Sequence, residues 1–540
     1  MYNETTYEQR SSLIRNGLTY KGSLTEDLSI DVLLGQEFRN TNYKGLKSNN
    51  YGYFHDRGNT FYEPALGEST GNLQRNKVTR SLVDRSNISY YGVVSAMYGD
   101  RYVLNANIRN DMSNRFGQDV KKRLDPTYSF GLLWRVTEEP FMASTLDWLN
   151  NAAFRVTYGI QGNALSNKSM DLILNRESID NTYQQYWSSV ADLPNPHLSW
   201  ERTTSWNLGL DLELFRMFNV TAEYYTRSSN AIVMQDVAYE YGKTSLELNG
   251  GLIDNKGLEF TVAFTPVRTK DFAVSVSLNS SKNWNKAKSA TKENPKYYEL
   301  LNAKTTELAK KGFPVGSFWS FSFKGLSDED GRPVFNYMDV PEEERDANMD
   351  PTKFMVWSGQ KDPYFTGGLN LGIRYKSFVL SSDFALILGG KKRLPNPYGS
   401  FLSGKVPEPY SNLSRDLLKR WKKPGDETKT NIPALTRGII DPKIMLPDKT
   451  ELNWYSIWGN SDALVVDASF LRCRQINLTW NMPLDLCKRV GIKTLALSAT
   501  VNNVFVIANK RFDGYDPELM TNGVQSVIPQ TYSLGINVGF

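Results

Sequence analysis

The chain ends in the stretch TYSLGINVGF, residues Thr531 to Phe540, which alternates between two kinds of side chain. In an extended strand, successive side chains point to opposite faces. One face of this stretch is therefore apolar, and the other is small and polar. The apolar face consists of Tyr532, Leu534, Ile536, Val538 and Phe540. A strand that stays apolar on one side up to its last residue needs an apolar environment along its whole length.

The same period of two recurs along most of the chain, whereas the period of a helix is scarce. In 255–265 the apolar face is formed by Leu258, Phe260, Val262 and Phe264. In 206–214 it is formed by Trp206, Leu208, Leu210, Leu212 and Leu214. The pattern predicts an all-β protein.

Strand length distinguishes a soluble sandwich from a membrane barrel. These strands run to about ten residues or more, whereas strands of soluble proteins average about five or six. About ten residues are what a tilted strand needs to cross a bilayer. Asp211 and Glu259 lie on the polar faces, where a wet lumen tolerates them, but on the lipid side each would cost on the order of a few kcal/mol. The sequence therefore predicts a transmembrane antiparallel β-barrel.

Connection lengths support the barrel. We expect strands near 5–21, 26–43, 78–97, 100–112, 126–136, 151–162, 200–213, 217–231, 249–265, 270–285, 364–375, 377–390, 466–481, 493–506 and 530–540. Counted from a periplasmic Phe540, every second connection is long: 507–529, 391–465, 286–363, 232–248, 163–199, 113–125 and 44–77. Outer-membrane barrels alternate short periplasmic turns with long extracellular loops, so we expect the long connections to be extracellular.

The expected count is about fifteen, whereas single-chain bacterial barrels normally have an even number of strands. An open sheet edge would leave backbone groups unpaired inside a bilayer. The start, MYNETTYEQR, also lacks the basic and apolar regions of a secretion signal. Together these features lead us to expect that an N-terminal part of the barrel is absent from this chain.

Composition argues against several other classes of protein. No stretch of about 18 apolar residues provides a membrane helix. The 63 basic and 58 acidic residues are scattered and leave a net charge of only +5, so nucleic acid is not expected as a partner. The two cysteines, Cys473 and Cys487, lack zinc-type spacing to a histidine and lie too far apart along the predicted strand for a disulfide.

Two short motifs have both a functional and a structural interpretation. GESTG at 67–71 matches the nucleophile elbow of hydrolases, but the strand, helix and nearby histidine of that site are missing, so we expect a surface loop and no catalytic residue. DEDG at 328–331 is similar to the start of a calcium loop, but the later oxygen ligands do not follow. We expect an acidic turn before a strand, with no metal or cofactor; calcium on an extracellular loop is an unsupported alternative.

Blocks spanning nearly the whole chain resemble, in order, the C-terminal barrel of SusC-like TonB-dependent transporters. They are NISYYGVVSAMYGDRYVLNANIRNDMSNRFG (87–117), LPNPHLSWERTTSWNLGLDL (193–212), IDNKGLEFTVAFTP (253–266), GFPVGSFWSFSFKGLSDEDGRPVF (312–335), RWKKPGDETKTNIPAL (420–435), SFLRCRQINLTWNMP (469–483) and NNVFVIANKRFDGYDPE (502–518). The ending TYSLGINVGF is similar to the last strand of that family, and its terminal Phe resembles the signal read by the outer-membrane assembly machinery.

The resemblance implies an outer-membrane barrel of Bacteroidetes type that imports oligosaccharides or peptides. It also implies a SusD-like surface lipoprotein as a lid and energisation by TonB. Transporters of 22 strands have a plugged lumen, so about seven strands and the plug domain would come from outside this chain, as a separate N-terminal half that contacts TonB. Alternatively, the chain is a truncated gene product or a fragment of a longer precursor.

The long loops contain aromatic side chains close to amides and a carboxylate. Aromatic faces stack on sugars, and amides and carboxylates bind hydroxyl groups. The candidate substrate-binding residues are Phe318, Trp319, Asn396, Tyr398, Trp454, Tyr455, Trp458, Asn460 and Asp462. The alternative is packing within the loops or contact with a lid protein.

A second aromatic set lies near strand ends on apolar faces, where membrane-interface girdles form. It consists of Trp134, Trp206, Phe264, Trp480, Tyr532 and Phe540. Our leading hypothesis is a nutrient-import barrel component in the outer membrane, without catalysis. The alternative is a structural or assembly-related barrel subunit, whose strands complete the wall of a partner.

Overall fold

The computed structural model describes residues 2–50, 53–61, 77–114, 125–145, 147–163, 172–179, 182–194, 200–236, 240, 245–290, 295–302, 309–345, 349–398, 414–435, 443–446, 450–520 and 527–540. The GESTG motif at 67–71 lies outside these residues.

Long antiparallel strands dominate the described residues and follow one another in chain order in a sheet of 15 strands. Their bounds are β1 Tyr2–Ser23, β2 Leu28–Asn50, β3 Lys77–Tyr98, β4 Tyr102–Ser113, β5 Thr127–Arg135, β6 Leu149–Asn163, β7 Glu201–Leu214, β8 Phe218–Asp236, β9 Ser245–Arg268, β10 Phe272–Ala287, β11 Phe365–Tyr375, β12 Phe378–Leu388, β13 Phe470–Asn481, β14 Thr494–Ala508 and β15 Thr531–Gly539. The all-β prediction is confirmed, and each expected strand is present.

The remaining elements are short and lie between the long strands. Strands pair as Tyr53–Phe54 with Thr60–Phe61, Ile173–Ile179 with Tyr186–Asp192, Ser317–Phe321 with Met355–Gln360, Phe323–Leu326 with Pro333–Phe335, Lys391–Arg393 with Val465–Asp467, and Lys443–Met445 with Glu451–Asn453. The α-helices are α1 Tyr297–Asn302, α2 Trp454–Gly459 and α3 Leu484–Arg489. Turns of 3-10 helix lie at His55–Arg57, Val136–Glu138, Pro140–Thr145, Asn336–Asp339, Glu342–Glu344, Pro351–Lys353, Arg415–Lys419, Asp462–Leu464 and Lys510–Phe512. In the described ranges, every helix is too short or too polar to cross a membrane.

The chain divides into two compact units. The first comprises residues 1–133 and 157–201, and the second comprises residues 134–156 and 202–540. Within the first unit, β1 to β4 pair as an antiparallel meander. Within the second unit, β7 to β15 do the same, and this unit also contains the two longest connections, between β10 and β11 and between β12 and β13.

The two faces of the second unit's sheet differ in the way that the alternation predicts. One face exposes a continuous set of large apolar side chains, because the register places the apolar positions of neighbouring strands opposite one another. Its exposed members include Trp206, Leu208, Leu210, Leu258, Phe260, Leu278, Leu380, Leu478, Tyr532, Leu534 and Ile536. Leu534 is 89% exposed, which a folded protein in water would avoid.

The opposite face is polar and cross-linked. Arg155 on β6 pairs with Asp211 on β7 at 3.0 Å and with Glu223 on β8 at 2.9 Å. Asn370 on β11 donates a hydrogen bond of 2.6 Å to Asp383 on β12. Side chains of alternating position thus form an apolar surface on one side of the sheet and a hydrogen-bonded surface on the other.

The first unit repeats this division. Arg15 on β1 donates to Glu37 on β2 at 2.7 Å, and Glu37 is buried. Arg109 on β4 pairs with Asp111 at 2.8 Å and donates to Ser89 on β3. The other face exposes Ile14, Leu18, Leu34, Tyr90 and Ile108.

Several strands are longer than expected. Residues 44–50 and 232–236 belong to strands β2 and β8, although they fall within predicted connections. The backbone ladder continues from Tyr2↔Asn50 onward in one case and to Asp236↔Ser245 in the other, beyond the stretch of regular apolar alternation that the prediction used. Hydrophobic periodicity marks where a face is apolar, and backbone pairing does not require it.

Candidate functional site

The two longest connections fold together around an apolar core, which we call the loop core. It is built from the described parts of 288–364 and 389–469. Its buried members are Leu300, Leu301, Trp319, Phe321, Phe335, Tyr337, Met349, Phe354, Met355, Tyr398, Leu417, Leu446, Tyr455, Ile457, Trp458 and Leu464. The expected loops are therefore structured around side chains that exclude water.

Local sequence signals position the aromatic residues of the loop core. Helix α2 begins where the Asn453 side chain accepts a hydrogen bond of 2.8 Å from the Tyr455 N–H, which satisfies a donor that the first turn leaves free. This start orients Tyr455, Ile457 and Trp458 inward, where each is at most 1% exposed. The strand Ser317–Phe321 is buried along its whole length.

Two tyrosines of the loop core, Tyr398 and Tyr455, hydrogen-bond the segment that contains Pro433 and Ala434. Tyr398 and Tyr455 meet edge to face, with ring centroids 5.1 Å apart. The Tyr398 hydroxyl donates to the Pro433 carbonyl at 2.6 Å, and the Tyr455 hydroxyl donates to the Ala434 carbonyl. Burial raises the pKa of Tyr398 far above its usual range, so this hydroxyl stays a hydrogen-bond donor.

Arg393 is a charged group at the loop core, where it joins both long connections. Its guanidinium donates to the Trp319 carbonyl at 2.9 Å and to Ser320 Oγ at 2.8 Å. It also lies over the Phe318 ring, 5.4 Å from the centroid. Burial lowers the pKa of Arg393 to about 10, which still keeps the group charged at neutral pH.

The DEDG motif is the acidic turn that the sequence predicts, and the strand Pro333–Phe335 follows it. Gly331 has a φ of +70°, and the Trp421 ring packs on its Cα, so a Cβ there would meet the ring at 2.4 Å. The Arg332 guanidinium forms an ion pair with one carboxylate oxygen of Asp330, so that oxygen is already engaged. In the described part of the chain, no three His, Cys, Asp or Glu side chains group as a metal would require.

The structure brings all nine candidate binding residues into or next to the loop core. Phe318, Trp319, Tyr398, Tyr455 and Trp458 are at most 7% exposed. For these five the geometry supports the packing alternative, because a ligand would reach them only after rearrangement. A role in ligand contact stays a prediction for the whole set.

The other four candidates are partly exposed. Asn396 donates to the Tyr455 carbonyl at 3.3 Å, and Asn460 accepts from Arg393 at 3.4 Å. Asp462 accepts from the Phe323 N–H at 2.9 Å, and burial raises the pKa of its carboxyl group. The Arg332 guanidinium covers one face of the Trp454 ring, at 5.1 Å from the centroid. Trp454 is nevertheless partly exposed, whereas the other aromatics of the set are buried, so it is the best placed of them for an outside contact.

Sequence reasoning missed an ion-paired group in the last connection. Arg472 at the start of β13 bonds both oxygens of Asp516 at 2.7 Å, and both residues are 2% exposed. Glu518 lies 3.1 Å from Arg472 and 3.0 Å from Arg474. Burial raises the pKa of Asp516, but the hydrogen bonds from Arg472 and the Glu518 N–H outweigh it and leave the pKa below its usual range. The sequence signal that could have predicted this ion pair is the acidic segment FDGYDPE at 512–518, together with Arg472 and Arg474 in the same strand.

A small polar cavity lies close to this connection. It has a volume of about 330 Å³ and is lined by Ser414, Arg415, Asp416, Asp513, Gly514 and Tyr515. Arg415 and Asp513 close one side with an ion pair of 2.5 Å. The cavity lies between residues 414–416 of the connection from β12 to β13 and residues 513–515 of the connection from β14 to β15. Its lining is largely polar and charged.

The predicted girdle residues occupy different environments. Tyr532, Phe540 and Trp206 are exposed on the apolar face. Phe264 stacks on Phe218 at 3.9 Å, and Trp480 is opposite Phe378 in the sheet. Trp134 donates to the buried Glu139 at 3.0 Å. Their position at a membrane interface stays a prediction.

The profile of one protein family, described as "TonB dependent receptor-like, beta-barrel", matches residues 2–401. The chain belongs to this family. Its members are outer-membrane proteins, so the predictions of a β-barrel and of an outer-membrane location are confirmed.

Individual relatives agree with the family assignment. The TonB-dependent receptor P3 of Formosa agariphila is 23% identical over 537 residues, which are 95% of this chain and 50% of that protein. The TonB-dependent receptor SusC of Bacteroides thetaiotaomicron is 26% identical over 507 residues, 89% of this chain and 45% of that protein. The chain thus spans about half the length of the curated relatives it matches.

Solved structures agree in fold. The RagAB peptide transporter superposes with a TM-score of 0.76 at 22% identity, covering 100% of this chain and 56% of that one. The RagAB peptide importer in its open-open state gives a TM-score of 0.77 at 22% identity, covering 100% and 55%. At this identity the likeness establishes the fold alone.

Proposed function

We propose that the chain is part of a SusC-type TonB-dependent transporter that carries oligosaccharides or peptides across the outer membrane. The observation that supports this most directly is the two-faced sheet: an exposed apolar surface suited to lipid, and a polar, ion-paired surface suited to a wet lumen. The short turns are periplasmic in this proposal, and the loop core is extracellular.

Three partners complete the proposal. A plug and about seven further strands come from polypeptide outside these residues, as a separate N-terminal half. A SusD-like lipoprotein covers the loop core, and TonB supplies energy through the plug-bearing half. The names of the relatives support a TonB-dependent transporter of SusC type, since one is called TonB-dependent receptor SusC and one solved structure is titled a peptide transporter.

The loop core gives the proposal a location for recognition. Its polar rim, Asn396, Trp454, Asn460 and Asp462, combines an aromatic face with amides and a carboxylate. This chemistry suits the hydroxyl groups of a glycan and the backbone of a peptide equally. We propose that the rim contacts the substrate, while the buried aromatics hold the rim in shape.

The test is uptake in the native bacterium after deletion of the coding sequence. We expect loss of uptake of a labelled oligosaccharide mixture or a labelled peptide mixture, restored by the wild-type gene and abolished by a protonophore. Affinity purification from solubilised outer membranes should recover a plug-bearing polypeptide and a lipoprotein. Unchanged uptake of both mixtures, together with purification of the chain without a partner, would contradict the proposal and favour a structural or assembly role.

A further inference from the structure

Neighbouring short turns of the second unit carry a set of exposed cations. The turns join β7 to β8, β9 to β10, β11 to β12, and β13 to β14. Their exposed cations are Arg216, Arg268, Lys270, Lys376, Lys488, Arg489 and Lys493, which we call the basic edge. The exposed acidic residues of the same turns are Asp271 and Asp485. Connection 136–148 lies beside these turns, since the Phe215 N–H donates to the Trp148 carbonyl at 2.8 Å, and it adds the exposed Glu138 and Asp147. Among the described residues of these connections, seven exposed cations stand against four exposed carboxylates, so positive charge predominates at this end of the sheet.

Backbone hydrogen bonds place the turns side by side. The Thr265 N–H donates to the Met217 carbonyl at 3.1 Å, and the Lys376 N–H donates to the Asp271 carbonyl at 2.6 Å. The Asn481 N–H donates to the Ser377 carbonyl at 2.8 Å. Within the described residues, no ion pair with a carboxylate engages any side chain of the basic edge. The cations of adjacent turns thus lie along the same end of the sheet, where an outside anion can meet them.

An aromatic row lies directly behind the basic edge on the apolar face. Tyr375 is opposite Phe272 on one side and Phe378 on the other, and Phe378 is opposite Trp480. Tyr375 is 55% exposed and Phe378 is 48% exposed. The Lys376 ammonium lies 5.6 Å from the centroid of the Tyr375 ring. Amphipathic aromatic side chains with cations beyond them are the arrangement found where apolar tails give way to headgroups.

The turn backbone is unusual for the residues it carries. Arg216 and Lys376 have φ values of +55° and +51°. This left-handed region favours Gly, Asn and Asp, and it costs other residues on the order of 1 kcal/mol or more. Charged side chains occupy these positions although Gly would fit them more readily.

We propose that the basic edge binds anionic glycerophospholipids, with the phosphodiester groups on the cations and the acyl chains against the aromatic row. This inference rests on the periplasmic placement of the short turns in the proposed function. The charge complementarity favours an anionic over a zwitterionic lipid, by about fivefold for each Lys or Arg near the headgroup. Such binding would fix the depth of the sheet in the bilayer.

The experiment measures lipid selection by the full chain purified in a neutral detergent, together with whatever partners copurify. The protein is equilibrated with an equal mixture of phosphatidylglycerol and phosphatidylcholine, and the retained lipid is quantified by mass spectrometry. We expect selection for phosphatidylglycerol, and its loss in the triple variant Arg268→Gln, Lys270→Gln, Lys376→Gln. The drop should be about fivefold for each cation removed, and high salt should reproduce it.

The matched control is Lys422→Gln, Lys423→Gln, Lys429→Gln, which removes three exposed lysines from a long connection and should keep wild-type selection. The conservative variant Lys376→Arg should also keep it, and it guards against misfolding of the turn. Equal retention of both lipids by the wild type, or an equal loss in the control, would overturn the inference. In a second equal mixture, of phosphatidylglycerol and lipopolysaccharide, preference for lipopolysaccharide would overturn it too, because the turns would then face the outer leaflet. Unchanged import after deletion, with intact lipid selection, would contradict only the proposed function.

Discussion

Arg393 donates a hydrogen bond of 2.9 Å to the backbone carbonyl of Trp319. The two residues belong to different long connections, and Trp319 is 3% exposed within the loop core. The same guanidinium donates to Ser320 Oγ and lies over the Phe318 ring. A half-buried cation therefore joins the two connections at the place where their apolar side chains meet.

Replacing Arg393 by Met should destabilise the loop core by about 1–3 kcal/mol, because the Trp319 carbonyl and Ser320 Oγ lose this donor. Hydrogen exchange of the amides in 317–321 is the measurement, and it should become faster. Arg393→Lys should recover part of the protection, since an ammonium cannot reproduce the planar fork. The exposed Lys422→Met is the control and should change nothing. Equal protection in all variants would contradict the role of Arg393.

Trp454 and Trp458 should respond differently to truncation. Trp458 is 0% exposed, so Trp458→Ala should destabilise the loop core by about 3–5 kcal/mol. Trp454→Ala should destabilise the loop core less, because this ring is only partly buried against it, but it should weaken retention of the labelled substrate that the uptake assay identifies. Limited proteolysis of the loops measures the first effect, and binding to the purified protein measures the second. If Trp454→Ala bound substrate as the wild type does, the proposed rim would lose its aromatic contact.

The sequence predicted the strands well because one-sided apolar alternation is a local signal. Leu534 and Ile536 are exposed on the same face as Leu210, as their spacing indicates. Strand ends were harder to predict, since β1 starts at Tyr2 and the residues near its start carry polar side chains on both faces. There the backbone ladder alone holds the strand, and side-chain periodicity contains no information about it.

The candidate site was only partly predictable. The sequence located the aromatic residues of the long connections, but it could not distinguish burial from ligand contact, because both use large aromatic side chains. Tyr455 and Trp458 are buried through the start of helix α2 at Asn453, which is a local signal that was readable. The bonds of Arg393 join residues 73 and 74 positions apart in the chain, so no local pattern reveals them.

Asp516 should make the last connection sensitive to acid. Its pKa is held below the usual range, so the stability it contributes is fully present above about pH 4, the ordinary pKa of Asp. This contribution is lost as the pH falls through the lower folded-state value. Hydrogen exchange of 509–520 should therefore stay slow at neutral pH and accelerate only in strong acid.

Asp516→Asn should make hydrogen exchange of 509–520 fast already at neutral pH, as strong acid does in the wild type. Removing one partner of a buried ion pair costs on the order of 3–5 kcal/mol, and Glu518 near Arg472 should bring the loss to the lower end. The control is Asp513→Asn, which removes an exposed partner of Arg415 and should have little effect. Rapid exchange of 509–520 in wild type at neutral pH would show that the ion pair does not hold this connection.

Leu278 and Asn279 are neighbours in β10 and should tolerate charge very differently. Leu278 is 40% exposed on the apolar face, and Asn279 lies on the polar face, where its side chain is close to Gly368. Leu278→Arg should cost about 2–4 kcal/mol in a bilayer if this position is near the midplane, because the guanidinium would face hydrocarbon. Asn279→Arg should cost far less, since the wet face hydrates the charge. The measurement is the midpoint of chemical unfolding in phosphatidylcholine vesicles. Equal midpoints for the two variants would contradict the assignment of the apolar face to lipid.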